Sequence, residues 1–170
     1  MTGNEPHDAV TIHHADVVVP VLSAPIGRGA VMVRAGEIVA VGDRAQLPEV
    51  AGSVTEVHWS GVLMPGLVNA HAHLQYHGMA ELGRAAHVDF ERWSEAFDDR
   101  YDEISTTEDW ASAALAGADQ AMRHGTTTIA DICTDLDAAD ALPRAGLSGI
   151  SYLAVALATD PGTSWSRNGR

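Results

Sequence analysis

One segment constrains this chain more than any other: Leu63-Met64-Pro65-Gly66-Leu67-Val68-Asn69-Ala70-His71-Ala72-His73. Pro-Gly marks a turn. After it comes a short apolar strand that ends in two histidines one residue apart. Side chains on a strand alternate between faces, so His71 and His73 point the same way, with Ala72 opposite. A rise of about 3.3 Å per residue separates them by roughly 6.6 Å. Two imidazoles at that spacing can converge on one metal through bonds of about 2.1 Å. The Leu/Val run has no polar alternation, as in a parallel strand covered on both faces. Ligands at the carboxyl end of such a strand sit where (β/α)8 barrels build their active sites. A bare H-x-H is more simply two surface histidines on an edge strand, but the Pro-Gly-Leu-Val-Asn lead-in favours ligation.

The rest of the chain divides around that segment. Residues up to about Glu5 are polar and are expected to be disordered. Thr11–Val21, with Val17-Val18-Val19 inside it, reads as a strand. Ala30–Arg34 and Ile38–Val41 flank Ala35-Gly36-Glu37, a hairpin with glycine in its turn. Val54–Trp59 is a further strand. These make a small β-sandwich-like domain over 1–62, in which His13, His14 and His58 are expected to be surface residues.

Beyond His73 a loop is expected to about Asp89, in which Gln75 and His77 lie close enough to the histidines to meet a substrate. Phe90, Trp93, Phe97 and Tyr101 then recur at spacings of one helix face. Core packing explains that stripe, although Trp93 is also a candidate to line a pocket. Ser105-Thr106-Thr107-Glu108 is a capping-box pattern opening a helix to about His124, closed by Gly125. His124 there suits the negative helix end and needs no ligand role. Thr126–Ile132 is β-branched and is expected to be the second parallel strand. Asp131, near its carboxyl end, is expected to cap or hold a turn, with a substrate contact as the alternative. Cys133 is expected to be packing volume. A short helix over Asp135–Ala145 and a third strand over Ile150–Leu157 follow. Residues 159–170 read as a frayed tail. The βαβαβ order implies a parallel sheet.

Pro65–His73 resembles the first-strand signature of the amidohydrolase superfamily. Phe90-Glu91-Arg92-Trp93 and Arg123-His124-Gly125-Thr126-Thr127-Thr128 sit where that family has similar stretches. More narrowly the chain resembles adenosylhomocysteine/methylthioadenosine deaminases, aminofutalosine deaminases and related chlorohydrolases. The resemblance implies that 63–158 is the N-terminal part of a (β/α)8 barrel, its first three strands. It implies a metal-dependent hydrolase of non-peptide C–N bonds, with His71 and His73 as metal ligands. It further implies one divalent metal, with zinc favoured and iron compatible. Family members place a further histidine, an aspartate and the proton-shuttling glutamate on later strands, so no catalytic residue carries over. In adenosyl-type members a glutamate after the helix tryptophan grips ribose hydroxyls. Asp102 stands at the matching position and, with Trp93, is a candidate substrate contact.

Length sharpens this expectation. A (β/α)8 barrel needs ~250 residues, whereas this chain has 170. Two functions therefore stand side by side. One is a deaminase of an adenine-type nucleoside, completed by further chain, a complementing chain or self-assembly. The other is a truncated, non-catalytic fragment. Lys and Arg number 10 against 23 Asp and Glu, a net charge of −13, which argues against nucleic-acid binding. A small-molecule substrate and a homo-oligomer or complementing chain are the expected partners. Cys133 is the only cysteine, which suits a reducing cytoplasm. No apolar run approaches the ~20 residues of a membrane span.

Overall fold

The computed structural model describes residues 9–104 and 107–154. The chain divides into two compact units, Met1–Pro65 and Gly66–Arg170. Among the described residues no helix is long and apolar enough to cross a membrane.

The first unit is a mixed sheet of β1 (Val10–Val18), β2 (Ile26–Gly27), β3 (Gly29–Arg34), β4 (Glu37–Asp43) and β5 (Val54–Leu63). Its order is β2-β1-β3-β4, with β5 parallel to β1 on the other side. The hairpin turn lies where glycine spacing placed it. Arg34 pairs with Glu37, and Ala35 and Gly36 both take positive φ, 51° and 81°. Two consecutive positive φ values match the right-handed twist of the strands they join. Val10, Ile12, Ala30, Met32 and Leu47 form one apolar cluster, and Ala15, Val18 and Val31 another. β5 runs four residues further than the expected strand end at Trp59, because pairing with β1 continues through Leu63 after a bulge between Ala15 and Val17.

The second unit is a three-stranded parallel sheet, β6 (Leu67–Ala72), β7 (Thr126–Cys133) and β8 (Ser148–Leu153), in that order. Helices α1 (Phe90–Glu103) and α2 (Thr107–Arg123) connect β6 to β7, and α3 (Ala141–Ala145) precedes β8. Asp89 caps α1 by accepting from Arg92 N at 2.9 Å. The Ser105-Thr106 part of the expected capping box lies outside the described residues, as does the expected tail at 159–170. Past Arg123, Gly125 turns at φ 88° and its carbonyl accepts from Leu67 N at 2.8 Å. The predicted helix over Asp135–Ala145 divides into a 3-10 turn, Leu136–Asp140, and α3, which ends at Gly146 in the left-handed conformation.

Burial in this sheet is uneven. Ile129, Asp131 and Cys133 of β7 are buried. Ile129 and Cys133 pack with Ala114 and Ala118 of α2 and Leu142 of α3. β6 was expected to be covered on both faces, yet Val68 is 70% exposed and Leu67 50%. On the opposite edge Ile150 is 57% and Tyr152 52% exposed. Each outer strand has only β7 as a hydrogen-bonded neighbour among the described residues, so the apolar sequence of β6 is not matched by cover.

Candidate metal centre

His71 lies in β6, and His73 follows the strand at the entry to a 3-10 turn, Leu74–Met79. Ala72 packs into the helix-covered core, so the flanking histidines turn away from it, as alternation requires. Their rings meet edge to face with centroids 5.1 Å apart. His71 is exposed and His73 half-buried. The strand is irregular here. The pairing register with β7 shifts between Asn69 and Ala72, and Asn69 Oδ1 accepts from His71 N at 3.1 Å.

His73 is oriented by a backbone bond. Its Nδ1 lies 2.8 Å from the Ile132 carbonyl oxygen. A carbonyl only accepts, so Nδ1 carries the proton and Nε2 is left as the lone-pair nitrogen. This is the second bond by which metal-binding histidines are commonly aimed. The Tyr76 ring stacks on the same imidazole, centroids 5.1 Å apart.

Two further contacts tie the segment after the histidines to the end of β7. Asp131 Oδ1 accepts from Leu74 N at 2.8 Å. Gln75 uses both ends of its amide on one residue, accepting from Thr134 N at 2.8 Å and donating to Thr134 Oγ1 at 2.7 Å. Asp131 and Gln75 are fully buried. The Ile132 carbonyl, the Asp131 carboxylate and the Thr134 backbone thus form a clamp that holds consecutive residues His73, Leu74 and Gln75. Helix α2 closes the outside. A Cβ on Gly117 would lie 2.7 Å from the Leu74 carbonyl oxygen and 3.2 Å from His77 Cβ, so only glycine allows that approach.

The clamp decides several expectations. Asp131 holds a turn, as its position suggested. Gln75 does not face a substrate, because its amide is consumed inside the clamp. Burial raises the Asp131 carboxyl above the usual carboxylate range, against the opposing pull of the Leu74 N–H and His73. Burial likewise pushes the Cys133 thiol up. Cys133 is fully buried against the core, which fits packing rather than nucleophilic attack. His124 donates from Nδ1 to the Gln120 carbonyl at 2.8 Å and finishes α2 as expected.

Trp93 sits in the aromatic stripe of α1, 5.4 Å from Phe97, which contacts Tyr76 at 5.1 Å. Two rings, Phe97 and Tyr76, therefore link it to His73. The side chain of Asp102 lies outside the described residues. Sequence reasoning missed the Asp131–Leu74 and Gln75–Thr134 pairs as partners. Each joins residues 57 or 59 positions apart, a separation that no local pattern reports.

The model of the amidohydrolase family matches residues 62–156. The chain belongs to the amidohydrolase family. No curated protein matches it. Among solved structures it is similar to an adenosine deaminase from Xanthomonas campestris with bound zinc, at 27% identity and a TM-score of 0.67, over 85% of this chain and 34% of that one. The fold is also shared with the atrazine chlorohydrolase of Arthrobacter aurescens complexed with zinc (21% identity, TM-score 0.66, 83% and 35% covered). A third match is the Helicobacter pylori aminofutalosine deaminase in complex with methylthio-coformycin (17% identity, TM-score 0.62, 86% and 37% covered). This amidohydrolase chain thus spans about a third of the length of those solved chains.

Proposed function

We propose that this chain contributes the first three strands of an amidohydrolase (β/α) barrel, preceded by a small β domain, and one half of a metal site made by His71 and His73. The reaction is hydrolysis of a non-peptide C–N bond, and the substrate is an adenine-type nucleoside. One observation carries the metal assignment: His73 has Nδ1 committed to the Ile132 carbonyl at 2.8 Å and so offers Nε2 beside the exposed His71. The donor set suits a single zinc ion, with iron as the chemical alternative. A bound dication would supply Lewis-acid activation of water. The chain's own task is to hold two imidazoles in place through the clamp, with Tyr76 stacked on one of them. Asp102 is proposed to accept hydrogen bonds from ribose hydroxyls, and Trp93 to wall the pocket. We place the enzyme in the cytoplasm.

The exposed apolar side chains of β6 and β8 favour a second part to the proposal. The sheet needs cover, from further chain, a complementing chain or a second copy. Without it the chain is a non-catalytic fragment. Metal content per chain after gel filtration, followed by ammonia release from adenosine, tests both parts. Retained metal that is lost in His71→Gln, together with ammonia release, supports the deaminase. Absence of retained metal at any oligomeric state refutes a self-sufficient site. Metal retention without ammonia release refutes the adenine-type substrate for this chain.

A further inference from the structure

The first unit holds a second group of metal-ligating side chains, built without any residue of the amidohydrolase strand. In the parallel register of β1 and β5, Ile12 pairs with Glu56 and His14 with His58. Paired residues on neighbouring strands share a face, and residues two apart on a strand do so too. His14, Glu56 and His58 therefore stand together on one face of the sheet. One ligand atom from each lies within 4.8 Å of the others.

The local bonding leaves these atoms unspent. His14 is mostly buried, with 15% of its side chain exposed, and among the described residues its Nε2 is buried with no hydrogen-bond partner. The Glu56 carboxylate oxygen Oε2 lies 3.6 Å from that nitrogen, too far for a hydrogen bond. It is close to the separation of about 3.3 Å between two ligands on one tetrahedral ion with bonds near 2.0 Å. The other oxygen, Oε1, accepts from Arg44 at 3.1 Å. That bond holds the Glu56 carboxyl below the usual carboxylate range. An imidazole nitrogen buried without a partner is costly, and a cation shared with Glu56 would satisfy it.

We propose that His14, Glu56 and His58 form a second divalent-metal site, of the zinc class, separate from His71 and His73. Two imidazoles and one carboxylate are a zinc donor set that leaves one position for water. They do not suit calcium or magnesium, which take oxygen ligands. The two rings are now stacked, with centroids 4.5 Å apart and 12° between planes. An open groove is lined by His14, Asp16, Arg28, His58 and Ser60 among others, so both imidazoles border solvent-accessible space.

The test uses the 170-residue chain carrying His71→Gln and His73→Gln, stripped with a chelator and titrated with Co2+ by visible absorption, then with Zn2+ by competition. One equivalent should bind, with the intense bands of a four- or five-coordinate ion. Adding His14→Gln, Glu56→Gln or His58→Gln should weaken binding at least tenfold, while circular dichroism stays unchanged. In the unsubstituted chain, Co2+ should shift the ring resonances of His14 and His58 by paramagnetism, a readout that requires no variant to fold. Absence of saturable binding, binding indifferent to all three substitutions, or unshifted His14 and His58 resonances would each overturn the proposal. The titrations do not depend on whether His71 and His73 hold a metal, because both are replaced there.

Discussion

Gln75→Leu isolates the clamp behind the candidate centre. The two side chains have similar volume, so the buried slot stays filled. What is lost is the pair of hydrogen bonds to Thr134, at 2.8 and 2.7 Å. Each contributes about 1 kcal/mol net when both partners are protein groups. Thr134 is exposed, so its N–H and hydroxyl recover part of that from water, whereas Leu regains some apolar burial. The expected loss is about 1–2 kcal/mol, concentrated where the Leu74–Met79 turn meets the end of β7. Native-state hydrogen exchange reads it locally. Exchange of the Thr134 amide should accelerate about 5- to 30-fold, since 1.4 kcal/mol is a factor of ten. Amides at the centre of β1, in the other unit, should be unchanged. The same substitution should weaken metal retention by His71 and His73 by less than the roughly 10- to 100-fold that follows loss of a ligand's own hydrogen-bond partner, because Gln75 bonds Thr134 and neither imidazole. Unchanged exchange at Thr134, or acceleration spread equally over β1, would refute the clamp as a local device.

Asp131→Asn tests the buried carboxylate. The folded carboxyl is raised by burial, so its contribution to stability is fully present below the ordinary aspartate value near ~3.9 and is lost as pH rises through the raised folded value. Asparagine keeps an oxygen for the Leu74 N–H and does not titrate. Urea midpoints measured from pH 4 to 7 should therefore shift progressively in favour of the variant. A shift in favour of the parent would contradict a raised carboxyl. Gly117→Ala should destabilise by about 1 kcal/mol, because overpacking of about 1–3 kcal/mol against the Leu74 carbonyl exceeds the helix gain of about 1 kcal/mol; a variant more stable than the parent in urea would show that α2 yields freely. Val68→Thr together with Ile150→Thr, on exposed β6 and β8 positions, should reduce self-association in analytical ultracentrifugation with little change in stability; an unchanged association state would show that these faces do not drive it.

Local pattern in the chain carries a great deal. Pro65-Gly66 and the Leu-Val run determine a strand that delivers His71 and His73 to one side, because alternation is a property of any extended backbone. The Phe90–Tyr101 spacing determines a helix face, and Gly36, Gly125 and Gly146 mark turns that need positive φ. The motif also identifies the family, since a short chemical signature survives without its surroundings. Tertiary structure alone decides what meets the motif. It brings the Ile132 carbonyl to His73, Asp131 to Leu74 and Thr134 to Gln75, because parallel strands place residues nearly sixty positions apart side by side. It likewise sets His14 beside Glu56 and His58, a grouping in which the sequence shows only Glu56-x-His58 and a distant histidine. Periodicity is written along the chain, whereas register between strands is chosen by packing, and both candidate metal sites depend on that register.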